Sequence, residues 1–227
     1  MSRSKLPGRE DQLDFLLRHL RERIHRGDFV PGQRLIEADL VDETGMSRGK
    51  VREALRMLEA DGLVELHRNR GASIRRISRQ EVSDTLEVLK VISVLMADKA
   101  IMRCQEPEAR ARLEEALAKA SSFREQSSRL DYSRHYMDEN ARFWEVLADL
   151  SGNAVLIDTR AKLETTLFRL ALEGARITSS KDQWIARHED ILTAVLDGDR
   201  DAARRLVEEA VDDVEAAILA LPDGVYR

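Results

Sequence analysis

The amino-acid sequence predicts a mainly α-helical protein, with a small N-terminal unit that includes a β-hairpin and a C-terminal antiparallel all-α bundle. Glycine and proline divide the chain into these two parts. Seven of the eleven glycines lie in residues 1–71, and no proline occurs between Pro107 and Pro222. Glycine and proline mark turns between short elements, and their absence favours long helices. We therefore expect one domain over residues 1–78 and a second over residues 79–227.

Charge divides the chain at the same place. Residues 1–78 have 16 Lys and Arg against 13 Asp and Glu, a net charge of +3, whereas the whole chain has a net charge of −5. This asymmetry is typical of a basic module that meets a polyanion, joined to an acidic module that does not. A solvated charged surface would give the same counts, so the charge leaves both interpretations open.

Composition narrows the class of protein further. Hydrophobic residues make up 43% of the chain, which is enough for a sizeable core. No apolar run approaches the roughly 20 residues of a membrane helix, and the N-terminus lacks the apolar segment of a signal peptide. The single cysteine, Cys104, excludes an intrachain disulfide framework. We expect a cytoplasmic protein that does not associate with a membrane.

Three helices are predicted before the hairpin. The first is marked by apolar residues at helical spacing: Leu13, Leu16, Leu17, Leu20 and Ile24. It should end near Gly27, before the Pro31-Gly32 turn, and a short helix should follow over about residues 37–43. Ser47 is a favourable N-cap for a third helix that runs to about Ala60. The apolar face of this third helix consists of Val51, Ala54, Leu55 and Leu58.

A β-hairpin is predicted after the third helix. Two short β-capable runs, LVELH and ASIRRI, flank the turn sequence RNRG. Three helices followed by a hairpin make a winged helix-turn-helix. A helix-turn-helix places its recognition helix in the major groove of DNA.

A helical bundle is predicted for the rest of the chain. Breaks fall near residues 105–107, 127–129, 151–153, 174–180 and 198. The segments between them have helical periodicity, which predicts five to seven antiparallel helices.

Basic residues cluster at the start of the third helix. Arg48, Lys50 and Arg52 lie in its first turns, at the end that would enter a major groove. Arginine there can donate two hydrogen bonds to guanine, and Ser47 at the helix N-terminus can reach a phosphate. The hairpin tip adds His67, Arg68 and Arg70. These residues predict double-stranded DNA as a partner.

Short motifs follow one another through this region. They are Ser47-Arg48, VREAL at residues 51–55, Leu58, Gly62-Leu63 and Arg70-Gly71. In this order and spacing they resemble the DNA-binding domain of the GntR family of bacterial transcriptional regulators. The resemblance implies that DNA is contacted by Ser47, Arg48, Arg52, Arg70 and Gly71. Gly49-Lys50 replaces the Thr-Pro of many members, which alters the expected base preference at that point.

The second part of the chain also has two segments that carry a family resemblance. They are FWEVLADLSGN at residues 143–153 and RHEDILTAVLDGDRDAARRLVEEAV at residues 187–211. They resemble segments of the all-helical FCD-type effector domain of the FadR-like subfamily. The resemblance implies a domain that dimerises and binds a small-molecule effector. The sequence does not identify that effector.

Many members of this subfamily bind a divalent metal through one Asp and three His. By the resemblance, the corresponding positions here are Asn140, Trp144, His188 and Ala210. At position 188 the metal-ligating histidine is retained. At the other positions the side chains are unsuitable, since an indole has no free lone pair and an alanine side chain has no donor atom. We therefore predict no metal and no other cofactor, with recruitment of His135 as the alternative. The four residues should instead line an effector pocket, with Trp144 as an apolar wall.

The predicted function is that of a transcriptional regulator, not an enzyme. We expect a homodimer that binds an inverted-repeat operator, responds to an effector and acts as a repressor. One alternative is a regulator whose helical domain only dimerises. The other is a helical enzyme with a basic appendage, although the sequence has no Gly-rich phosphate loop, no His-Glu-x-x-His and no nucleophile elbow.

Overall fold

The computed structural model describes residues 9–26, 28–68, 71–126, 132–178 and 181–227, which belong to two compact units. One unit runs to Ser78 and includes Pro222–Arg227, and the other comprises Arg79–Leu221. The protein is mainly α-helical, as the sequence predicts. The strands of the described residues all lie in the first unit.

The first unit has three helices and a small sheet. The helices are α1 (Arg9–Arg26), α2 (Glu37–Thr44) and α3 (Arg48–Ala60), and the strands are β1 (Arg34–Leu35), β2 (Val64–His67) and β3 (Gly71–Ile74). The strand order is β1-β3-β2, with β3 antiparallel to both neighbours. The sequence predicts the β2-β3 hairpin but not β1, so the two-stranded prediction is corrected to three strands. Two residues are too few to show an alternating pattern, and Leu35 is extended because it pairs with Ala72.

The turn between α2 and α3 depends on a glycine. Gly45 has a φ of +67°, in the left-handed region that favours glycine, and its N–H donates to the carbonyl of Val41. Ser47 then caps α3, because its hydroxyl accepts a hydrogen bond from the backbone N–H of Lys50 at 3.4 Å. The predicted start of α3 at this cap is confirmed.

The core of the first unit lies between α1, α3 and the sheet. Four residues of α3 are buried: Val51, Ala54, Leu55 and Leu58. They belong to the same cluster as Leu16 and Leu20 of α1 and Ile74 of β3. The apolar face predicted for α3 is therefore the buried face, which leaves the opposite, basic side of the helix exposed.

The second unit is a helical bundle. Within the described residues it has six helices: α4 (Arg79–Arg103), α5 (Pro107–Gln126), α6 (Tyr132–Ser151), α7 (Ala154–Thr178), α8 (Lys181–Asp197) and α9 (Arg200–Leu219). This number lies within the predicted five to seven. The break predicted near residues 174–180 falls at the end of that range, because α7 continues past Gly174 to Thr178 and α8 begins at Lys181. A glycine inside a helix costs only about 1 kcal/mol relative to alanine, so tertiary packing can override it.

The main core of the bundle is formed by α4, α5, α6, α8 and α9. Met96, Phe143, Leu147, Ile191 and Val207 are among its buried members. The single cysteine, Cys104, is a buried free thiol in the same cluster. None of the helices in the described ranges is long and apolar enough to cross a membrane.

Candidate functional site

The exposed side of α3 borders an open groove in the first unit. Four arginines from β1 and α3 line this groove: Arg34, Arg48, Arg52 and Arg56. Leu66 and His67 of β2 and Gly71 of β3 complete its hairpin side. The groove therefore brings together the recognition helix and the hairpin, which are the two parts that the sequence predicts to meet DNA. We call it the basic groove.

Two arginines of the basic groove were missed from the sequence. Arg56 follows Arg52 by four residues, as Arg52 follows Arg48, and this spacing places all three on one side of α3. The spacing was a usable signal for Arg56. Arg34 reaches the groove because β1 pairs with β3, and β1 is the strand that the sequence did not predict.

An acidic residue orients Arg52 at the surface. The Nε of Arg52 donates to Oε2 of Glu37, the first residue of α2, at 2.8 Å. The Arg52 side chain is still 61% exposed. An exposed ion pair of this kind contributes little to stability, so its main effect is to hold the guanidinium on the groove side of α3.

The other predicted DNA contacts have different surroundings. The ammonium of Lys50 donates to Oε1 of Gln12 on α1, and Lys50 is half-buried, which directs this side chain toward α1. Ser47 and Arg68 are exposed, at the start of α3 and just after β2. Arg70 lies outside the described residues.

The second unit contains a small cavity of about 90 Å³. Residues of α4, α6, α7, α8 and α9 line it, and all four predicted pocket residues are among them: Asn140, Trp144, His188 and Ala210. Most of the remaining wall is apolar, with Leu86, Leu89, Leu167, Val211 and Val214 among its members. We call it the bundle cavity.

The imidazole of His188 is fixed by two neighbours on α6. Its Nδ1 lies 2.9 Å from Oε2 of Glu139, and both side chains are buried. The ring stacks on Phe143 with centroids 3.9 Å apart. Glu139 was missed from the sequence, although it shares one helix face with Phe143 and Leu147, four and eight residues later.

The donor atoms around His188 do not fit a divalent metal. Asn140 uses its amide Nδ2 to donate to Oε1 of Glu164 at 3.1 Å, and Trp144 and Ala210 offer no metal-binding atom. Among the described residues, no group of three or more His, Cys, Asp or Glu side chains is arranged to bind a metal. The side chain of His135, the alternative ligand, lies outside the described residues.

We expect the purified protein to hold no stoichiometric zinc, nickel or manganese, and we expect a chelator to leave its melting temperature unchanged. The double substitution Asn140→Asp with Trp144→His would place two new donors beside His188 and should raise zinc affinity. Elemental analysis of the wild-type chain is the deciding measurement. One tightly held metal per chain would show that other residues complete a metal site.

A buried arginine is the least expected member of the bundle cavity. Arg160 of α7 is only 7% exposed, and its guanidinium carbon lies 3.7 Å from the centroid of the Trp144 ring. Its Nη1 donates to Oγ of Ser93 on α4 at 2.8 Å, and its Nη2 lies 3.5 Å from Oε2 of Glu164. Burial lowers the pKa of Arg160, and the nearby Glu164 carboxylate opposes this shift.

Arg160 was also missed from the sequence. It lies four residues after Leu156 and seven before Leu167, so it occupies a position on the apolar side of α7. A charged residue on the apolar side of a helix indicates a buried polar site, and this pattern can be read from the sequence.

Comparison with known protein families agrees with both units. Residues 14–74 match the family described as "Bacterial regulatory proteins, gntR family". Residues 84–213, more than half of the chain, match the FCD domain. The chain belongs to the GntR family of bacterial regulators. Its second domain is an FCD effector domain, the arrangement of the FadR-like subfamily, and the protein is a transcriptional regulator rather than an enzyme.

Relatives of this GntR regulator are similar over most of their length. An uncharacterised HTH-type transcriptional regulator of Streptomyces ambofaciens is 28% identical over 92% of this chain and 86% of its own. The HTH-type transcriptional repressor RspR of Escherichia coli K12 is 25% identical over 86% of each chain. A regulator of this family from Rhodococcus sp. RHA1 shares the fold with a TM-score of 0.73 and 23% identity, over 96% of this chain and 100% of its own.

Proposed function

We propose that this GntR regulator is a homodimeric, effector-responsive repressor that binds an inverted-repeat operator in the cytoplasm. The observation that supports this most strongly is the basic groove, where Arg34, Arg48, Arg52 and Arg56 converge beside the exposed side of α3. Four like charges gathered at one surface repel one another, so their clustering does not favour folding. Such a surface matches the phosphates and guanine edges of DNA.

The residues of the groove divide into two groups by their position on α3. Arg48 and Arg52 lie in the first turns of the helix, so they would reach base edges when its N-terminus enters the major groove. Ser47 would contact a phosphate at the helix N-terminus. Arg34 and Arg56 lie farther from that end and would contact the phosphate backbone, which positions the protein without reading sequence.

Selection from a library of random DNA duplexes tests operator binding. We expect the enriched duplexes to share an inverted repeat, because two recognition helices related by a two-fold axis require two matching half-sites. Enrichment of a single unrepeated half-site would contradict the proposed dimer. No enrichment of any sequence would contradict operator binding itself.

An exposed apolar stripe on α4 supports homodimerisation of the bundle. Val88, Val91, Leu95 and Met102 are all more than 40% exposed, and Met102 is 74% exposed. Their spacing places them along one side of α4, while Leu89, Ile92 and Met96 of the same helix are buried in the bundle. A contiguous exposed apolar surface of this kind is characteristic of a protein interface.

The charges on α4 fit a second copy of the same helix. If two α4 helices pair antiparallel about position 93, Val91 faces Leu95 of the other copy, and Glu87 faces Lys99. Because the interface has two-fold symmetry, the pair of Glu87 with Lys99 occurs twice, once in each direction. The stripe and this complementarity together support dimerisation through α4.

Arg68→Ala is expected to weaken operator binding less than a substitution on α3, because Arg68 lies at the wing, where a side chain meets the phosphate backbone. Loss of one phosphate contact per subunit should make the dependence of log affinity on log salt shallower by about 2. The same expectation applies to Arg70. Fluorescence anisotropy between 50 and 300 mM salt measures the slope of log affinity against log salt. An unchanged slope would show that the wing does not contact DNA.

The bundle cavity supports the effector response. Residues of five helices line it, most of them apolar, with a few polar groups among them, which is the usual character of a small-molecule site. We propose Asn140, Trp144, His188 and Ala210 as pocket residues. If the domain only dimerises, no small molecule that enters the cavity should change operator affinity.

A further inference from the structure

We propose that Ile36 reads a thymine of the operator, through contact of its side chain with the C5-methyl group in the major groove. This inference rests on the proposed operator binding and specifies part of the sequence that the protein selects. Three features of the first unit support it: the exposure of Ile36 at the basic groove, its poor fit to the start of α2 and its position beside the ion pair of Glu37 and Arg52.

Ile36 is an exposed apolar residue of the basic groove. It is 56% exposed and lines the groove together with Arg34. Leu35, between them, is only 3% exposed and pairs with Ala72 of β3. Successive side chains of an extended segment point to opposite sides, and Ile36 has an extended backbone, with φ of −88° and ψ of 118°. The chain therefore directs Arg34 and Ile36 to the groove and Leu35 to the core.

Ile36 does not stabilise the start of α2. It is the N-cap residue of this helix, and its carbonyl accepts a hydrogen bond from the N–H of Leu40 at 3.2 Å, but its side chain forms no capping hydrogen bond. Serine, threonine, asparagine and aspartate are favoured at an N-cap because their side-chain oxygens accept from a free backbone N–H, whereas isoleucine is among the least favoured residues. Because Ile36 is neither buried nor a good cap, we expect its contribution in the complex with DNA.

Ile36 is also adjacent to the arginine that is expected to contact guanine. Glu37 follows it directly, and Oε2 of Glu37 accepts a hydrogen bond from Nε of Arg52 at 2.8 Å. The guanidinium would therefore approach a guanine through Nη1 and Nη2. Ala38 is exposed as well and extends the apolar edge of the groove on the α2 side. The base that meets Ile36 should thus lie close to the guanine that Arg52 contacts.

Thymine is the base that matches an isoleucine side chain. In the major groove it is the base that presents a methyl group, and apolar side chains recognise it by contact with that group. The other base edges present hydrogen-bond donors or acceptors, for which isoleucine has no partner group. Covering those groups without a hydrogen bond is unfavourable. A T·A pair is therefore favoured where Ile36 meets the DNA.

Replacement of thymine by deoxyuridine in the selected operator tests the proposal, because uracil pairs like thymine and lacks only the C5-methyl group. Each thymine is replaced in turn, at the same place in both half-sites. At one position we expect the affinity of the full-length protein to fall by about fourfold for one half-site and about 15-fold for both. Equal affinity for the thymine operator and every deoxyuridine operator would overturn the proposal.

Ile36→Ser should abolish the preference for thymine over uracil at that position and leave the other positions unchanged. Serine is a favoured N-cap, so this variant should fold with a Tm no lower than that of the wild type. Ile36→Val keeps a branched apolar side chain and should retain most of the preference. The preference is a ratio measured within each variant, so a change in overall affinity does not alter it. An undiminished preference in Ile36→Ser would overturn the assignment to Ile36.

Val30 provides a matched control in the same unit. It is 57% exposed, close to the value for Ile36, and it lies outside the basic groove as the described residues define it. Val30→Ser should keep the preference for thymine at the wild-type level. Loss of the preference in Val30→Ser would show that it does not depend on contact with the groove, and this result would overturn the proposal.

The proposed function and this inference fail in different ways. If the random library yields no enriched sequence, operator binding itself is contradicted. If it yields an inverted repeat whose guanines are required for binding, but whose thymines can all be replaced by deoxyuridine without loss, operator binding stands and the role of Ile36 is contradicted.

Discussion

Arg52→Ala is expected to lower operator affinity by roughly 30- to 20,000-fold while the protein remains folded. Each bidentate arginine–guanine contact contributes about 1–3 kcal/mol of discrimination, and a dimer on an inverted repeat makes the contact twice. Arg48→Ala should have an effect of the same order. The fold should persist, because the Arg52 side chain is 61% exposed and its partner Glu37 is a surface residue. Fluorescence anisotropy with the selected operator measures the loss.

A matched control separates this effect from a general change in charge. Arg205 of α9 has a side chain that is 65% exposed, close to the value for Arg52, but it belongs to the helical unit. Arg205→Ala removes the same charge and should leave operator affinity within about twofold of wild type. If Arg52→Ala and Arg205→Ala behave alike, the groove is not the DNA interface.

Val91→Glu is expected to convert the dimer to a monomer at micromolar concentration. Val91 is 66% exposed on the apolar stripe of α4, and in a paired α4 it would face Leu95 of the other copy. A carboxylate buried against leucine without a partner is costly, and two-fold symmetry imposes that cost twice. Light scattering measures the mass of the particle in solution. Operator affinity should fall as the dimer is lost. Val155→Glu is the control, because Val155 is 73% exposed and belongs to α7, not to the stripe on α4.

A charge exchange tests the antiparallel register of the two helices. Glu87→Lys should weaken the dimer, because it places two lysines opposite each other, and Lys99→Glu in the same chain should restore it. Failure of the second substitution to rescue the first would contradict the proposed register. A wild-type chain that is monomeric at micromolar concentration and still binds the operator tightly would contradict dimerisation altogether.

The helix-turn-helix could be predicted from sequence because its cues are local. Gly45 ends α2, Ser47 caps α3 within three residues, and the period of Val51, Ala54, Leu55 and Leu58 defines the buried face. Each cue acts on neighbours in the chain, so no knowledge of the tertiary structure is needed. The resemblance of the same segment to GntR regulators rests on these residues and on the arginines between them.

The parts that the sequence did not predict depend on distant partners. β1 exists because it pairs with β3, whose residues lie more than 35 positions later in the chain. Arg160 is stabilised by Ser93, 67 residues earlier, and by the ring of Trp144 on another helix. Periodicity places Arg160 on the inner side of α7 but does not identify what it meets. The polar centre of the bundle cavity therefore became visible only in the three-dimensional structure.

In the proposed complex, the basic side of α3 enters the major groove of a symmetric operator. Methylation interference tests it most directly, because methylation of guanine N7 blocks a major-groove contact without changing base pairing. With wild-type protein, we expect interference at matching guanines in both half-sites, and with Arg52→Ala we expect one of these guanines in each half-site to become insensitive. A wild-type pattern without guanine interference, or a pattern that Arg52→Ala leaves unchanged, would contradict the account.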